Sequence, residues 1–208
     1  MTLQNRVLPD GEIVAIGARG LMMGNRGGAL HDANRALGRR RWVSKQWICC
    51  RLAFNDRYRT VMAPNRYTEL FFLDEATALA AGHRPCFECR RQEFLWFAAL
   101  WARAAGKTGR ATAGEMDAVL HAERVDEAGR KVLWQAPLAD LPSGTVVRHG
   151  GAPHLVLSGW LLPWTPEGYG AALSRPDEAA AVLTPRSTVA VLSAGYCPML
   201  HPSAGIAA

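Results

Sequence analysis

The feature that most constrains the fold of this chain is the pair Cys86-x-x-Cys89, which directly follows Pro85. Two cysteines at this spacing can bind one metal ion when a turn that leads into a helix brings both sulfurs to the same side. We predict such a helix from about Cys86 to about Ala105, and its free backbone N–H groups favour a thiolate at the first cysteine. The pattern therefore predicts a turn, a helix and a metal site at one place in the chain.

Redox chemistry and zinc-dependent deamination are weaker interpretations of the same pair. A thioredoxin-like motif follows a strand in a βαβ unit, whereas a predicted helix and the turn at residues 82–84 come before this one. A deaminase carries its His-x-Glu ahead of Pro-Cys-x-x-Cys, whereas the His-x-Glu of this chain, at residues 121–123, comes after it. A cysteine can also be buried as a small apolar side chain, and we expect this of Cys197.

Composition restricts the class of protein. The five cysteines of the 208 residues are odd in number and unevenly spread, which argues against a disulfide framework and predicts a reducing, cytoplasmic compartment. No apolar run reaches about 18 residues, so we expect no membrane span, and the first residues lack the layout of a secretory signal. A net charge of +6 is compatible with partners that carry phosphate.

The order of patterns along the chain predicts an α+β fold. Glycine-rich, basic segments and an aromatic run near residues 42–54 predict N-terminal β-hairpins, which a helix pair follows. Asp74 is suited to cap the first helix, which would start near Glu75 and stop at Gly82. We expect the helix pair and the hairpins to surround a zinc site.

The second half of the chain predicts mostly β-structure after one short helix near residues 114–126. A hairpin is expected through Gly150-Gly151, a further strand near residues 184–196, and a small β-barrel or rolled sheet overall. The turn-rich residues 106–114 suggest a soft boundary between a zinc-containing domain, 1–106, and a β-rich domain, 107–208. One continuous fold is the alternative.

Residues 71–89 carry a longer motif than the cysteine pair. An aromatic pair, Phe71-Phe72, precedes the run ALAAG at residues 78–82, which leads into Arg84-Pro85-Cys86 and Cys89 without a gap. This segment, about a tenth of the chain, resembles the zinc-binding module of the Ada DNA-repair family. The resemblance implies a Zn²⁺ ion that pins a helix pair to an upstream hairpin. In that family an upstream C-x-x-x-C completes a four-thiolate site, and one of its thiolates accepts a methyl group from a DNA phosphotriester.

The upstream part of the family pattern is incomplete here. Cys49 and Cys50 resemble its strand, but Leu52, Ala53 and Phe54 stand where the second thiolate is expected. Neighbouring residues on a strand point to opposite faces, so only one of the two cysteines is expected to reach the pair downstream. The Cys-Arg step of the family aligns with Cys50, which we therefore prefer to Cys49 as third ligand.

A zinc site needs a fourth ligand, and several residues could supply it. We rank His31 first because it is nearest in sequence to the presumed strand. His201, Cys197 and the other member of the Cys49-Cys50 pair are the alternatives.

Arginines and aromatic residues alternate in the N-terminal third, a combination that suits contact with DNA or RNA. The candidate contact residues are Arg26, Arg35, Arg39, Arg40 and Arg41, and the interleaved aromatic residues are Trp42, Trp47, Tyr58 and Tyr67. A solvated basic hairpin is the alternative interpretation. We set aside Glu69 as a possible general base, because a capping or solvent-facing role is simpler for it.

These patterns together predict a zinc-binding protein with a structural zinc site and a basic surface that contacts nucleic acid. The alternative function is an enzyme that uses the metal or the arginines on a phosphate-bearing substrate. Three protein ligands plus water, in place of four protein ligands, would favour the enzyme. A third hypothesis is a structural metal combined with a C-terminal β-unit that binds a small ligand or a protein.

Overall fold

A computed structural model of the chain describes residues 2–57 and 60–206. Within them the chain is an α+β protein with two β-sheets and four α-helices. The first sheet precedes most of the helical part in sequence and has the strand order β2-β1-β5-β3-β4-β6. Its strands are β1 (Arg6–Val7), β2 (Ile13–Val14), β3 (Met22–Asn25), β4 (Ile48–Arg51), β5 (Leu70–Phe72) and β6 (Arg84–Pro85).

Two pairings in this sheet are parallel, β1 with β5 and β4 with β6, and the other pairings are antiparallel. Strand β3 lies between β4 and β5 and approaches β4 closely at Gly24. A Cβ atom at Gly24 would lie 2.1 Å from the carbonyl oxygen of Ile48, so the strands could not approach in this way with a larger residue. Strand β4 thus pairs with β3, which lies upstream across residues 26–47, and no strand is assigned between β4 and β5 in the described residues, so the hairpin expected to turn after residues 42–54 does not form there.

The second sheet is antiparallel and has the order β11-β10-β9-β8-β13-β7, with β12 paired to β10. Its strands are β7 (Trp134–Pro137), β8 (Val146–His149), β9 (Ala152–Leu157), β10 (Trp160–Thr165), β11 (Gly168–Tyr169), β12 (Leu173–Ser174) and β13 (Ala179–Val182). The hairpin through Gly150-Gly151 forms as expected between β8 and β9. Within the described residues β7 and β11 do not pair with each other, so the sheet is open and the predicted small barrel does not form.

The helices are α1 (Glu75–Ala80), α2 (Arg91–Ala104), α3 (Ala113–Arg124) and α4 (Arg186–Ser193). Asp74 caps α1 as predicted, because its carboxylate accepts a hydrogen bond from the Thr77 N–H at 2.9 Å. The second helix starts later than predicted, since residues 87–90 form a turn before it.

The strand predicted near residues 184–196 is wrong, because this segment forms α4. Its β-branched residues favoured a strand, but Thr188, Val189, Val191 and Leu192 lie at helical spacing and are buried. Val191 and Leu192 pack with residues of α2 and α3 in one cluster. Tertiary packing therefore overrides local propensity in this segment.

Helix α1 lies where the two halves of the chain meet. Its Leu79 joins a cluster that contains Phe97 and Leu192, while its Ala76 packs with Leu155 and Leu162 of the second sheet. Both parts of the chain thus contribute to shared apolar clusters.

None of the helices in the described residues combines the length and apolar character needed to cross a bilayer.

Candidate metal centre

Cys50 and Cys86 are brought together by the parallel pairing of β4 with β6. Cys49 lies opposite Pro85 in this pairing, and the Cys86 N–H donates a hydrogen bond to the Cys49 carbonyl at 2.9 Å. Cys50 and Cys86 are the next residues along their two segments, and the turn at residues 87–90 returns Cys89 toward them. The strand pairing therefore joins an upstream cysteine to the Cys-x-x-Cys pair.

The sulfurs of Cys50, Cys86 and Cys89 all lie within 4.8 Å of one another, and we call these residues the cysteine cluster. Sulfurs bound to one tetrahedral zinc ion at about 2.3 Å would be roughly 3.8 Å apart, so this spacing fits a shared ion. Each side chain is at most 9 % exposed. The cluster could hold a metal ion, and thiolate sulfur suits Zn²⁺ and other soft cations.

Hydrogen bonds within the cluster favour a thiolate at Cys86. The thiols of Cys50 and Cys89 donate to its sulfur, with the backbone N–H groups of Cys89 and Glu88 contributing less, and they lower the pKa of Cys86 far below that of a free thiol. The pKa of Cys50 is raised because it donates to Cys86 and Cys89 and is buried. Since the thiolate is the form that binds metal, these contacts favour Cys86 as a ligand.

Cys49 lies outside the cluster, among residues of a different apolar group that includes Leu70 and Phe72. Its sulfur is fully buried and accepts a hydrogen bond from Arg90 Nη1 at 3.7 Å. Burial raises the pKa of Cys49 above the usual range, so its thiol stays protonated. The structure does not bring Cys49 to the candidate metal centre.

The other candidates for a fourth ligand also lie elsewhere. His31 has both ring nitrogens within hydrogen-bond distance of protein oxygens, Nδ1 at 2.6 Å from Thr68 Oγ1 and Nε2 at 3.2 Å from the Ala63 carbonyl. The ring of His201 contacts Ser203, and Cys197 is exposed. Within the described residues, no further Cys, His, Asp or Glu joins the cysteine cluster.

A cavity of about 480 Å³ opens beside the cysteine cluster and is lined by all three of its residues. Its walls are mainly apolar and include Met23, Ile48, Phe54 and Phe71. Phe54 stands where the Ada-like pattern places a second upstream thiolate, and it packs against the cluster. The cysteine cluster therefore borders a cavity with mainly apolar walls.

Glu69 is the residue of this site that the sequence analysis set aside. It is 4 % exposed and lines the cavity, and its Oε2 accepts a hydrogen bond from the Met62 N–H at 2.7 Å. It is therefore neither a helix cap nor a solvent-facing side chain. Glu69 directly precedes the apolar strand β5, and this neighbourhood was a sequence signal for its burial.

The His-x-Glu motif at residues 121–123 has structural contacts. Glu123 Oε2 accepts hydrogen bonds from the N–H and the hydroxyl of Ser187, at 3.0 and 2.6 Å, at the start of α4. The ring of His121 packs edge-on against Trp42. Neither residue belongs to the cysteine cluster, so the His-x-Glu and Cys-x-x-Cys motifs do not form one site.

The arginines proposed to contact nucleic acid occupy two different environments. Arg35, Arg39 and Arg40 are exposed, and Arg41 is half-buried. Arg26 is only 2 % exposed and so does not belong to their surface. Of the aromatic residues interleaved with them, Trp47 is buried and Tyr58 lies outside the described residues. Contact with DNA or RNA stays a prediction.

Comparison of the chain with protein-family models, with curated proteins and with solved structures found no match.

Proposed function

We propose that the protein is a zinc protein in which Cys50, Cys86 and Cys89 bind the ion and leave one coordination position open toward the cavity. The observation that carries the proposal is that three sulfurs lie within 4.8 Å of one another while the same three residues line a cavity of about 480 Å³. Structural zinc sites are closed by four protein ligands, whereas sites that bind or convert a ligand keep one position open. This arrangement favours a ligand-binding or catalytic centre over a structural zinc site.

The cavity favours a ligand with little net charge. Two arginines and two glutamates line it, and the Arg57–Glu88 pair is already matched, with Nη1 and Oε1 2.7 Å apart. Arg51 pairs with Glu93 at 3.1 Å, outside the cavity. Because both arginines already have a carboxylate partner, a phosphate-bearing substrate is not favoured at this centre, and the apolar walls suit a hydrophobic ligand.

Zinc bound by three thiolates would act as a Lewis acid and lower the pKa of a thiol or water at the open position. The residues of the chain have their own parts in this proposal. Ile48, Phe54 and Phe71 would exclude water from the bound ligand, and Glu69 would accept its proton. A ligand with a thiol group is the preferred class, because sulfur is a soft donor that matches a thiolate-rich site.

The experiment is metal analysis followed by cobalt substitution. Protein purified without chelator should contain one zinc per chain, and the Co²⁺ form should show the charge-transfer absorption of thiolate ligands. Addition of β-mercaptoethanol should change the visible Co²⁺ spectrum in a saturable way, because the thiol enters the open position. Protein without metal, or a Co²⁺ spectrum unaffected by thiol, would contradict the proposal. The variant Cys197→Ser is the matched control and should behave as the wild type.

A further inference from the structure

A second cavity, of about 300 Å³, has a strongly basic lining, and we call it the basic cavity. Six basic side chains line it, against the two acidic side chains Asp10 and Glu12. The basic residues are Arg26, Arg41, Arg124, Arg130, Lys131 and Arg148. Arg130 pairs with Asp126 at 2.8 Å and Arg148 with Asp10 at 3.9 Å, but the other four cations outnumber the remaining acidic residue, so the cavity carries an excess of positive charge.

The innermost cations have no ion-pair partner in the described part of the chain. Arg26 is 2 % exposed and donates to the Gly11 carbonyl at 2.9 Å, while Arg124 is 1 % exposed and donates to the Gly82 carbonyl at 2.9 Å. The ammonium of Lys131 donates to the carbonyl of Ala80. These acceptors are neutral backbone oxygens, so they satisfy hydrogen bonds without supplying negative charge.

Two buried polar nitrogens at or beside this group have no hydrogen-bond partner among the residues that the structure describes. They are Nε of Arg124, which lines the basic cavity, and Nδ1 of His83, which contacts Arg26 but is not part of the lining. Arg26 Nε lies 3.4 Å from His83 Nε2 and donates to it, so the proton of a neutral imidazole is on Nδ1. Unpartnered buried donors are rare in folded proteins and call for a ligand or a bound water.

Two other buried arginines of this protein, in contrast, each have a carboxylate partner. Arg84 forms two hydrogen bonds with Asp117, at 2.9 and 2.7 Å, and Arg90 pairs with Glu75 at 2.7 Å. Arg26 and Arg124 instead share one aromatic neighbour, and each guanidinium carbon lies 3.9 Å from the ring centroid of Trp47. Cation–π contact offsets part of the desolvation cost, typically about 0.5–2 kcal/mol, but brings no countercharge.

The electrostatic cost of this arrangement lowers the pKa values of the three cations. Burial lowers the pKa of Arg26 and of Arg124 to about 9, and burial together with Arg26 lowers the pKa of Lys131 to about 7. Glu12 acts in the opposite direction on Arg26, Asp117 on Arg124 and Asp10 on Lys131. None of these carboxylates forms an ion pair with the cation concerned, so an anion in the cavity would relieve the remaining repulsion.

We propose that the basic cavity binds the phosphate group of a small molecule, with Arg26, Arg124 and Lys131 as its principal contacts. Several converging cations suit a dianion with three or four oxygens better than a single carboxylate, which two donors already satisfy. The cavity also exceeds the volume of one phosphate, and Trp42 and Trp47 line it, so an organic group can lie beside them. This proposal stands on its own and does not depend on the metal centre.

Titration calorimetry at low ionic strength tests the proposal with inorganic phosphate and with phenyl phosphate. Wild-type protein should bind at least one of them in a saturable way. Lys131→Met should weaken binding about tenfold or more, because one charge-assisted hydrogen bond is lost. Lys107→Met removes the same charge from an exposed residue outside the basic cavity and should bind as the wild type. Tighter binding of phenyl phosphate would identify the ligand as a phosphate monoester, and equal binding of the two would identify it as inorganic phosphate.

A second variant keeps the test independent of the folding of Lys131→Met. Arg148 lines the cavity with a side chain that is 42 % exposed, so Arg148→Gln should fold normally and weaken binding about threefold. The proposal is overturned if neither anion gives a saturable heat of binding at concentrations up to about 10 mM, because a preformed site would bind more tightly than that. It is equally overturned if a folded Lys131→Met variant binds as tightly as the wild type.

Discussion

Cys49 and Cys50 are adjacent in β4 but belong to two different chemical environments. Cys50 lies with Cys86 and Cys89, whereas the sulfur of Cys49 accepts a hydrogen bond from Arg90 at 3.7 Å. Alternation of side chains along a strand separates them, so a single pairing of strands decides which cysteine can bind metal. A shift of β4 by one residue would exchange their positions.

The first prediction follows from this separation. Cys50→Ser should lower zinc affinity by at least about a hundredfold, because a thiolate ligand is lost, while Cys49→Ser should retain one zinc per chain. Metal content after dialysis against a competing chelator measures both. Equal loss of zinc in the two variants would show that Cys49 also binds the ion.

The second prediction concerns the open side of the metal centre. Phe54→Cys places a thiol where the Ada-like pattern has one, beside the cysteine cluster. We expect the fourth sulfur to close the site, so the Co²⁺ spectrum should show stronger thiolate charge transfer and lose its response to β-mercaptoethanol. Phe54→Ser enlarges the cavity in the same way without a thiol and should keep that response. A Co²⁺ spectrum of Phe54→Cys that still responds to thiol would argue against this placement.

The third prediction concerns the ion pair that joins α1 to the turn before α2. Glu75 and Arg90 are 1 % and 4 % exposed in their side chains, and Glu75 also accepts a hydrogen bond from the hydroxyl of Tyr196 at 2.6 Å. Glu75→Gln removes the buried countercharge and leaves the guanidinium only the longer contact with the partly exposed Glu93, at 3.6 Å, so it should reduce the free energy of unfolding by about 3 kcal/mol. Chemical denaturation measures the change. Glu88→Gln, which breaks the exposed pair with Arg57, should cost less than about 1 kcal/mol.

The fourth prediction is a pH dependence of stability that arises from Lys131. Its pKa in the folded state is about 7, below the usual 10.5 of a lysine, because of burial and the charges of Arg26 and Arg124, with Asp10 opposing. Below pH 7 the folded state carries the full cost of the charged ammonium. Between pH 7 and 10.5 the unfolded state binds more protons than the folded state, so this contribution to stability rises with pH.

The measurement compares wild type with Lys131→Met in a buffer free of phosphate. The stability advantage of the variant should be largest near pH 6 and should shrink as the pH rises toward 9, since the wild-type lysine loses its proton in the folded state. Parallel stability curves for the two proteins would show that the Lys131 ammonium keeps its normal pKa.

Local signals in the sequence were sufficient for several elements. The Asp74 cap with Gly82 after it gave the position of α1, and the Gly150-Gly151 turn gave the β8–β9 hairpin, since both depend on neighbouring residues alone. The segment that forms α4 was assigned wrongly, because its helical state depends on packing against α2 and α3.

The sequence by itself determined the Cys86-x-x-Cys89 turn and, through alternation along a strand, that only one of Cys49 and Cys50 could join it. The tertiary structure alone decided that three sulfurs come together in the described part of the chain and that Glu69 is buried in the wall of the cavity beside them. It also brought Arg26, Arg124 and Lys131 to one cavity from positions up to 105 residues apart. Contacts of this kind depend on how strands pair and helices pack, and no local pattern in the sequence encodes the distance between such residues.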